Sequence, residues 1–268
     1  MENRPVDRPD PTHPSLGYPA RLEVTGEGPP LVLVPGMDGT GRLFHRQVPR
    51  LARRRRVATY ALRDGARSMA ELVADLRRIV DAVAPGDGRA VIVGESFGGG
   101  VALSFALAHP ERTAALVVLN SFPWFGPQVR LRLAVLGVRL FPWNVMPIVR
   151  RITVFRMHSS HTGPEEIQRF LDVTRETTRE GYLNRLRILR RYDVRDRLRE
   201  IHVPTLFLAA SEDHLVPSVE QAERMAAAVP GARLRVLEGH GHVCLIAPDV
   251  DLGEILDEAL PQPDTDRA

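Results

Sequence analysis

Four short apolar runs constrain this chain most: Leu31–Val34 (LVLV), Ala90–Val93 (AVIV), Leu116–Leu119 (LVVL) and the TLFL stretch of Thr205–Ala209. Each is nearly free of polar alternation, as strands buried on both faces must be. Arg21–Val24, Val57–Tyr60 and Arg233–Leu237 read as further strands. Helical patterns fall between them. In Ser68–Val83, Met69, Leu72, Val73, Leu76, Ile79, Val80 and Val83 form one stripe. Ser218–Val229 follows Pro217, which suits a helix entry, and stops before Pro230-Gly231. Strands alternating with helices predict an α/β chain, with a mostly parallel sheet covered by helices on both faces.

The rhythm breaks after Ser121. For about 80 residues helical periodicity is interrupted by Pro123, Pro127, Pro142, Pro147 and Gly163-Pro164, and strands resume only near Thr205. A helical insert between two central strands lands over their carboxyl ends, where ligands bind. Residues 122–200 are therefore expected to form a helical cap on a core of 21–121 and 201–260. The polar, proline-rich residues 1–20 are expected to be a mobile tail.

Length and composition fit one catalytic domain: 268 residues, 44% hydrophobic and 26% charged. No apolar run is long enough to span a bilayer, and the N-terminus has no apolar leader core. A single cysteine, Cys244, leaves no intrachain disulfide. These features lead to the expectation of a cytoplasmic protein. All 36 basic residues are arginine, and Phe122–Glu200 holds 16 of them against 8 carboxylates. Arginines 130, 132, 139, 150, 151 and 156 interrupt an apolar stretch there. A solvated helix face accounts for that pattern; contact with an anionic membrane surface or an acyl carrier is the sharper expectation. No nucleic-acid motif accompanies it.

The segment Ala90-Val91-Ile92-Val93-Gly94-Glu95-Ser96-Phe97-Gly98-Gly99 carries the chemistry. It places G-x-S-x-G directly after an apolar strand and directly before a helical pattern. A serine hydroxyl projects from such a turn, and the small flanking residues let strand and helix approach each other. The helix directs its N-terminal N–H groups toward an oxyanion.

This segment resembles the nucleophile turn of the α/β-hydrolase superfamily, and the resemblance extends over roughly residues 21–260. The family order is nucleophile, acid, histidine. Position by position it implies Ser96 as nucleophile and Asp213, in D-x-L-V-P after Thr205–Ala209, as acid, with Glu212 as the neighbouring alternative. Gly239-His240-Gly241-His242 offers two histidines, and the usual Gly-x-Gly-His pattern implies His242. The oxyanion donors implied are the backbone N–H groups of Phe97 and Met37, the latter in Pro35-Gly36-Met37-Asp38-Gly39-Thr40-Gly41. That loop departs from the common His-Gly version. Asp38 is unusual beside a forming oxyanion and is expected to cap the glycine-rich turn.

The expectation is a serine hydrolase acting on a carboxylic ester or thioester of a largely apolar small molecule, with no cofactor and no metal. His158 and His161 lack a third ligand in the sequence. Trp124, Phe125 and Trp143 are the expected substrate contacts. Pro35–Gly41 is also similar to lipid-directed acyltransferases of the superfamily, which leaves acyl transfer as the rival reaction. A non-catalytic ligand-binding protein on the same fold is the rival of a different class.

Overall fold

The computed structural model describes residues 21–260 except 127, 141, 147, 149, 150, 152–156, 158 and 160. The expected N-terminal tail, His158 and several apolar and basic positions of the insert lie outside the described residues. Among those described, seven strands form one sheet in the order β1-β3-β2-β4-β5-β6-β7. They are β1 (Leu22–Thr25), β2 (Pro30–Val34), β3 (Arg56–Tyr60), β4 (Ala90–Glu95), β5 (Thr113–Leu119), β6 (Thr205–Ala210) and β7 (Arg233–Leu237). Only the β1–β3 pair is antiparallel. The central strands are buried along nearly their whole length, whereas β1 and β7 expose alternate or successive residues at the sheet edges.

Strand ends differ from the sequence reading where pairing outruns apolar character. β4 continues through Gly94 and Glu95 because Glu95 stays in register with Leu119. β5 begins at Thr113 because that residue pairs with Ala90. Both extensions add polar or small residues that a hydrophobic pattern cannot count, since backbone hydrogen bonds hold them.

Helices α1 (Gln47–Leu51), α2 (Met69–Val83), α3 (Phe97–Ala108), α7 (Ser218–Ala228) and α8 (Leu252–Ala259) cover the two faces, with three further helices inserted between β5 and β6. Ser68 caps α2, its hydroxyl accepting from the Glu71 N–H. The stripe Leu72, Leu76, Ile79 and Val80 then packs against α3 and the sheet. Helices α1 and α8 close the other face over Leu31, Leu33, Val93 and Val117. β3 lies on one side of β2 and β4 on the other, so the crevice beyond the carboxyl ends of β2 and β4 is the topological switch point.

Between β5 and β6 the chain is helical: α4 (Gln128–Leu140), α5 (Pro164–Arg175) and α6 (Arg179–Leu189), with short 3₁₀ turns at Trp143–Val145 and Arg195–Glu200. The bridge between Trp124 and Asp193 is the one strand-like pairing of the described part of this segment. No helix among the described residues is long and apolar enough to cross a membrane.

Candidate active site

Ser96 sits between β4 and α3 at φ 54° and ψ −119°, one of two non-glycine residues with positive φ among those described. An L-residue holds this strained conformation only where its surroundings demand it. They do so here through glycine. A Cβ on Gly94 would strike the Gly98 carbonyl, and one on Gly98 would strike the Val34 carbonyl. The strand, turn and helix therefore close tightly only with glycine at both places, and Ser96 is pushed outward at the carboxyl end of the sheet. Its N–H donates to the Leu119 carbonyl at 2.9 Å, and its carbonyl accepts from the Ser121 hydroxyl at 2.6 Å.

Three distant parts of the chain meet at that hydroxyl. His242 Nε2 lies 2.9 Å from Ser96 Oγ, and His242 Nδ1 lies 2.6 Å from Asp213 Oδ2. The carboxylate fixes the tautomer: Nδ1 carries the proton toward Asp213, which leaves Nε2 to accept from serine. Asp213 is itself held. Its Oδ1 accepts the N–H groups of Leu215 and Val216 at 2.9 Å each, and Oδ2 also accepts the Ser218 hydroxyl. Burial would raise its pKa, but hydrogen bonds and charge attraction from His242, with those from Ser218 and Val216, hold it below the usual carboxylate range. An imidazole oriented in this way can take the serine proton and keep the resulting charge beside a carboxylate.

The sequence alternatives fall elsewhere. The Glu212 side chain makes no part of this chain of contacts, although its N–H donates to the His240 carbonyl at 2.8 Å. His240 points away from Ser96, toward His161 and Asp249. Cys244 is buried, and burial pushes its thiol up, away from the thiolate a nucleophile needs.

Met37 lines the same cleft as Ser96, at the end of β2. Phe97 is the first residue of α3, where N–H groups have no partner within the helix. The intervening loop is fixed from the insert. Arg185 on α6 is buried and donates from Nε to the Met37 carbonyl at 3.0 Å. It also donates to the Asp38 carbonyl at 3.3 Å and to Asp64 Oδ1 at 3.1 Å. The Thr177 hydroxyl adds a bond to the Asp38 carbonyl at 3.1 Å. Gly39, at φ +74°, passes against the Arg185 guanidinium where a Cβ would not fit. The Asp38 side chain caps the turn, accepting the Thr40 N–H at 2.8 Å. Neither Arg185 nor Asn120 is evident from sequence. Asn120 has φ 47°, donates to the His242 carbonyl at 2.8 Å and accepts the Ala210 N–H at 2.7 Å, tying β5 and β6 to the histidine loop. An asparagine closing an apolar strand was the available signal, since asparagine tolerates that backbone region.

The cleft over Ser96 encloses about 370 Å³, within the roughly 300–1,000 Å³ of small-molecule sites. One wall comes from the core: Gly36, Met37, Asp38, Leu43, Glu95, His214, Leu215, His242 and Val243. The other comes from the insert: Met146, Met157, Phe170, Thr174, Thr177 and Tyr182. Glu95, beside the serine, is pushed up to about 7. Burial is the main cause; Asp38 and Asp213 add to it, and His242 opposes it.

The three aromatic residues expected to contact substrate have these surroundings. Trp124 bridges to Asp193 and stacks under the Arg195 guanidinium, 4.5 Å from its ring centre. Phe125 packs edge-on against Phe122. Trp143 lies 5.8 Å from the ring of Tyr182, which itself lines the cleft. None of the three lines the cleft. Trp124 and Phe125 precede α4 and Trp143 opens a 3₁₀ turn, so no helical stripe in the sequence fixes the side they present. A larger groove, about 810 Å³, runs along the outer face of α6 between Arg67, Arg179, Arg187, Arg190 and Arg191, and contains no nucleophile.

Comparison with known proteins places this geometry. The chain is 30% identical over 241 residues to RutD of Azorhizobium caulinodans, named as a candidate carbamate hydrolase, with 85% of this chain and 90% of that one covered. A hydrolase from Pseudomonas aeruginosa superposes with a TM-score of 0.78 at 26% identity, covering 90% of this chain and 92% of the other. An esterase from Exiguobacterium antarcticum shares the fold, with a TM-score of 0.80 at 21% identity, covering 89% and 94%. Residues 29–247 match the alpha/beta hydrolase fold family. The chain belongs to that family and is a hydrolase.

Proposed function

We propose that the protein is a serine hydrolase that cleaves a carboxylic ester or thioester of a largely apolar small molecule through an acyl-enzyme on Ser96. The observation that carries this reading is the hydrogen-bonded series Ser96–His242–Asp213 at the floor of the cleft. In the first step Ser96 Oγ attacks the carbonyl carbon while its proton passes to His242 Nε2. The Met37 and Phe97 N–H groups receive the developing oxyanion. Collapse of the tetrahedral intermediate breaks the bond to the leaving group, which takes the proton from His242 Nε2. Water then enters, gives its proton to Nε2 and attacks the acyl carbon. The acid departs, and Ser96 recovers its proton. Asp213 keeps Nδ1 protonated throughout and offsets the charge on the imidazolium.

The cleft supports an uncharged, carbon-bearing acyl group. Met146, Met157, Phe170 and Leu43 offer apolar contact, and the Asp38 and Glu95 carboxyls beside Ser96 disfavour an anionic acyl group. A carbamate, as the relatives' names suggest, presents a carbonyl open to the same attack. The arginine groove on the far side of α6 is the place where an anionic carrier or membrane surface would touch this protein. A panel of p-nitrophenyl esters and acyl thioesters from acetyl to decanoyl, with and without added alcohol, tests the reading. Hydrolysis that rises with acyl length is expected. Ester products formed with alcohol in preference to free acid would transfer the assignment to acyl transfer, and no turnover across the panel would contradict an ester-cleaving enzyme.

A further inference from the structure

On the flank of the histidine loop, away from the cleft, His161, His240 and Asp249 come together from three parts of the chain. His161 belongs to the insert, His240 to the loop that also carries His242, and Asp249 to the turn before α8. His161 Nδ1 lies 2.6 Å from Asp249 Oδ2, and His240 Nε2 lies 3.6 Å from the same oxygen. The two imidazole rings meet nearly edge to face, 5.1 Å between centres. The three donor atoms all lie within 4.8 Å of one another.

His240 is the unusual member. It is 93% buried, given a relative exposure of 7%. Its Nδ1 is buried without a partner, and its Nε2 approaches Asp249 at a distance too long for a hydrogen bond. The buried Nδ1 has lost its hydration without a bond to replace it, and no hydrogen bond ties up the Nε2 that faces Asp249. It is, however, well placed to offer a lone pair to a cation held by the other two groups. A tetrahedral ion with bonds of about 2.0–2.1 Å sets its ligands about 3.3 Å apart. The separations of 2.6 and 3.6 Å straddle that value.

We infer that His161, His240 and Asp249 form a binding site for one divalent cation of the Zn²⁺ class. Two imidazoles and a carboxylate suit zinc and its neighbours rather than magnesium or calcium, which prefer oxygen donors throughout. His161 and Asp249 are both about half exposed, which leaves a path for the ion and room for a water as fourth ligand. None of the three residues lines the cleft that holds Ser96. The ion is therefore a tie and not a participant in the reaction. It joins the insert at His161 to the loop that ends at His242, two residues beyond His240. The inference is independent of the chemistry at Ser96.

Equilibrium dialysis of the full-length, tag-free chain against Zn²⁺ tests it, with Co²⁺ absorption as the report on geometry. About one ion per chain is expected, with the visible bands of a four-coordinate Co²⁺ site. His161→Ala and Asp249→Asn, both at half-exposed positions, should each weaken binding at least about tenfold, with circular dichroism confirming that each variant is folded. His240→Ala should do the same, with circular dichroism confirming that the chain is folded. Ser96→Ala, and His202→Ala at an exposed histidine before β6 that is no part of the cluster, should bind as the wild type does, which separates this site from the reaction. Zn²⁺ should raise the thermal midpoint of the wild type and not that of Asp249→Asn. Absence of bound ion would overturn the proposal. So would binding that survives all three ligand substitutions, which would locate the ion elsewhere.

Discussion

The two walls of the cleft are built by different physics. The core wall places Ser96, Asp213, His242 and the Met37 loop at strand ends, where the Asp213 and His242 side chains each make two or more hydrogen bonds and Arg185 holds the Met37 carbonyl. The insert wall places Met146, Met157, Phe170 and Tyr182 on helices and turns that face the core wall across the cleft. Reaction geometry tolerates errors well below an ångström, so it belongs on the rigid wall. Apolar selectivity depends on volume, which flexible methionines can adapt to. Under this division, substitutions in the core wall should change the chemical step, and those in the insert wall should change which substrate is accepted.

The sharpest break of the comparison is Ser96→Ala. On the proposed reaction, turnover should fall by roughly 10⁴–10⁶-fold, and thermal stability should barely move. His242→Ala should cost a similar factor and far more than His240→Ala, measured as kcat on one ester of the panel. Retention of a tenth of wild-type turnover in either Ser96→Ala or His242→Ala would remove the core wall from the chemistry.

Glu95 supplies a pH test. Its folded value, about 7, lies above its ordinary 4.5. Between those values the folded chain holds a proton that the unfolded chain has released, so stability falls as pH rises through the window. The fall should amount to about 3 kcal/mol at most. Glu95→Gln should flatten that slope in denaturant titrations between pH 5 and pH 7. An unchanged slope would mean that Glu95 is not the group responsible.

Arg185 is a positioning residue shared by both walls: it reaches from α6 to the Met37 and Asp38 carbonyls. Arg185→Met should lower kcat about 10–100-fold through misplacement of the Met37 N–H, with KM less affected. A change confined to KM would instead assign α6 to substrate contact alone. The smallest effect lies in the insert wall. Each methylene added to the acyl chain should raise kcat/KM nearly fourfold, from about 0.8 kcal/mol of burial, until the cleft is full. Phe170→Ala should extend the chain length at which that rise stops.

The same division explains what could be read from the sequence. Ser96 was legible because strand, glycine turn and helix are contiguous, so local sequence sets the local backbone. Asp213 and His242 were implied by resemblance to the family's order of nucleophile, acid and histidine, laid over the strands read as β6 and β7, and the choice of His242 over His240 rested on the same resemblance. The structure supports that choice through the 2.9 Å contact to Ser96. Trp124, Phe125 and Trp143 were expected at the substrate from composition alone, and an apolar residue of the insert has several ways to be buried. Arg185 and Asn120 were not visible, since their value lies in contacts to residues 148 and 122 positions away. A buried arginine on a helix reads in sequence like any solvated one.

The central claim, an acyl-enzyme on Ser96, is tested most directly by covalent trapping. The protein would be treated with an apolar fluorophosphonate, digested, and mapped by mass spectrometry, with Ser96→Ala and His242→Ala treated in parallel. A single adduct is expected on the peptide spanning Ser96, absent from Ser96→Ala and formed orders of magnitude more slowly in His242→Ala. An adduct on another residue, or labelling of Ser96 at the same rate without His242, would contradict it.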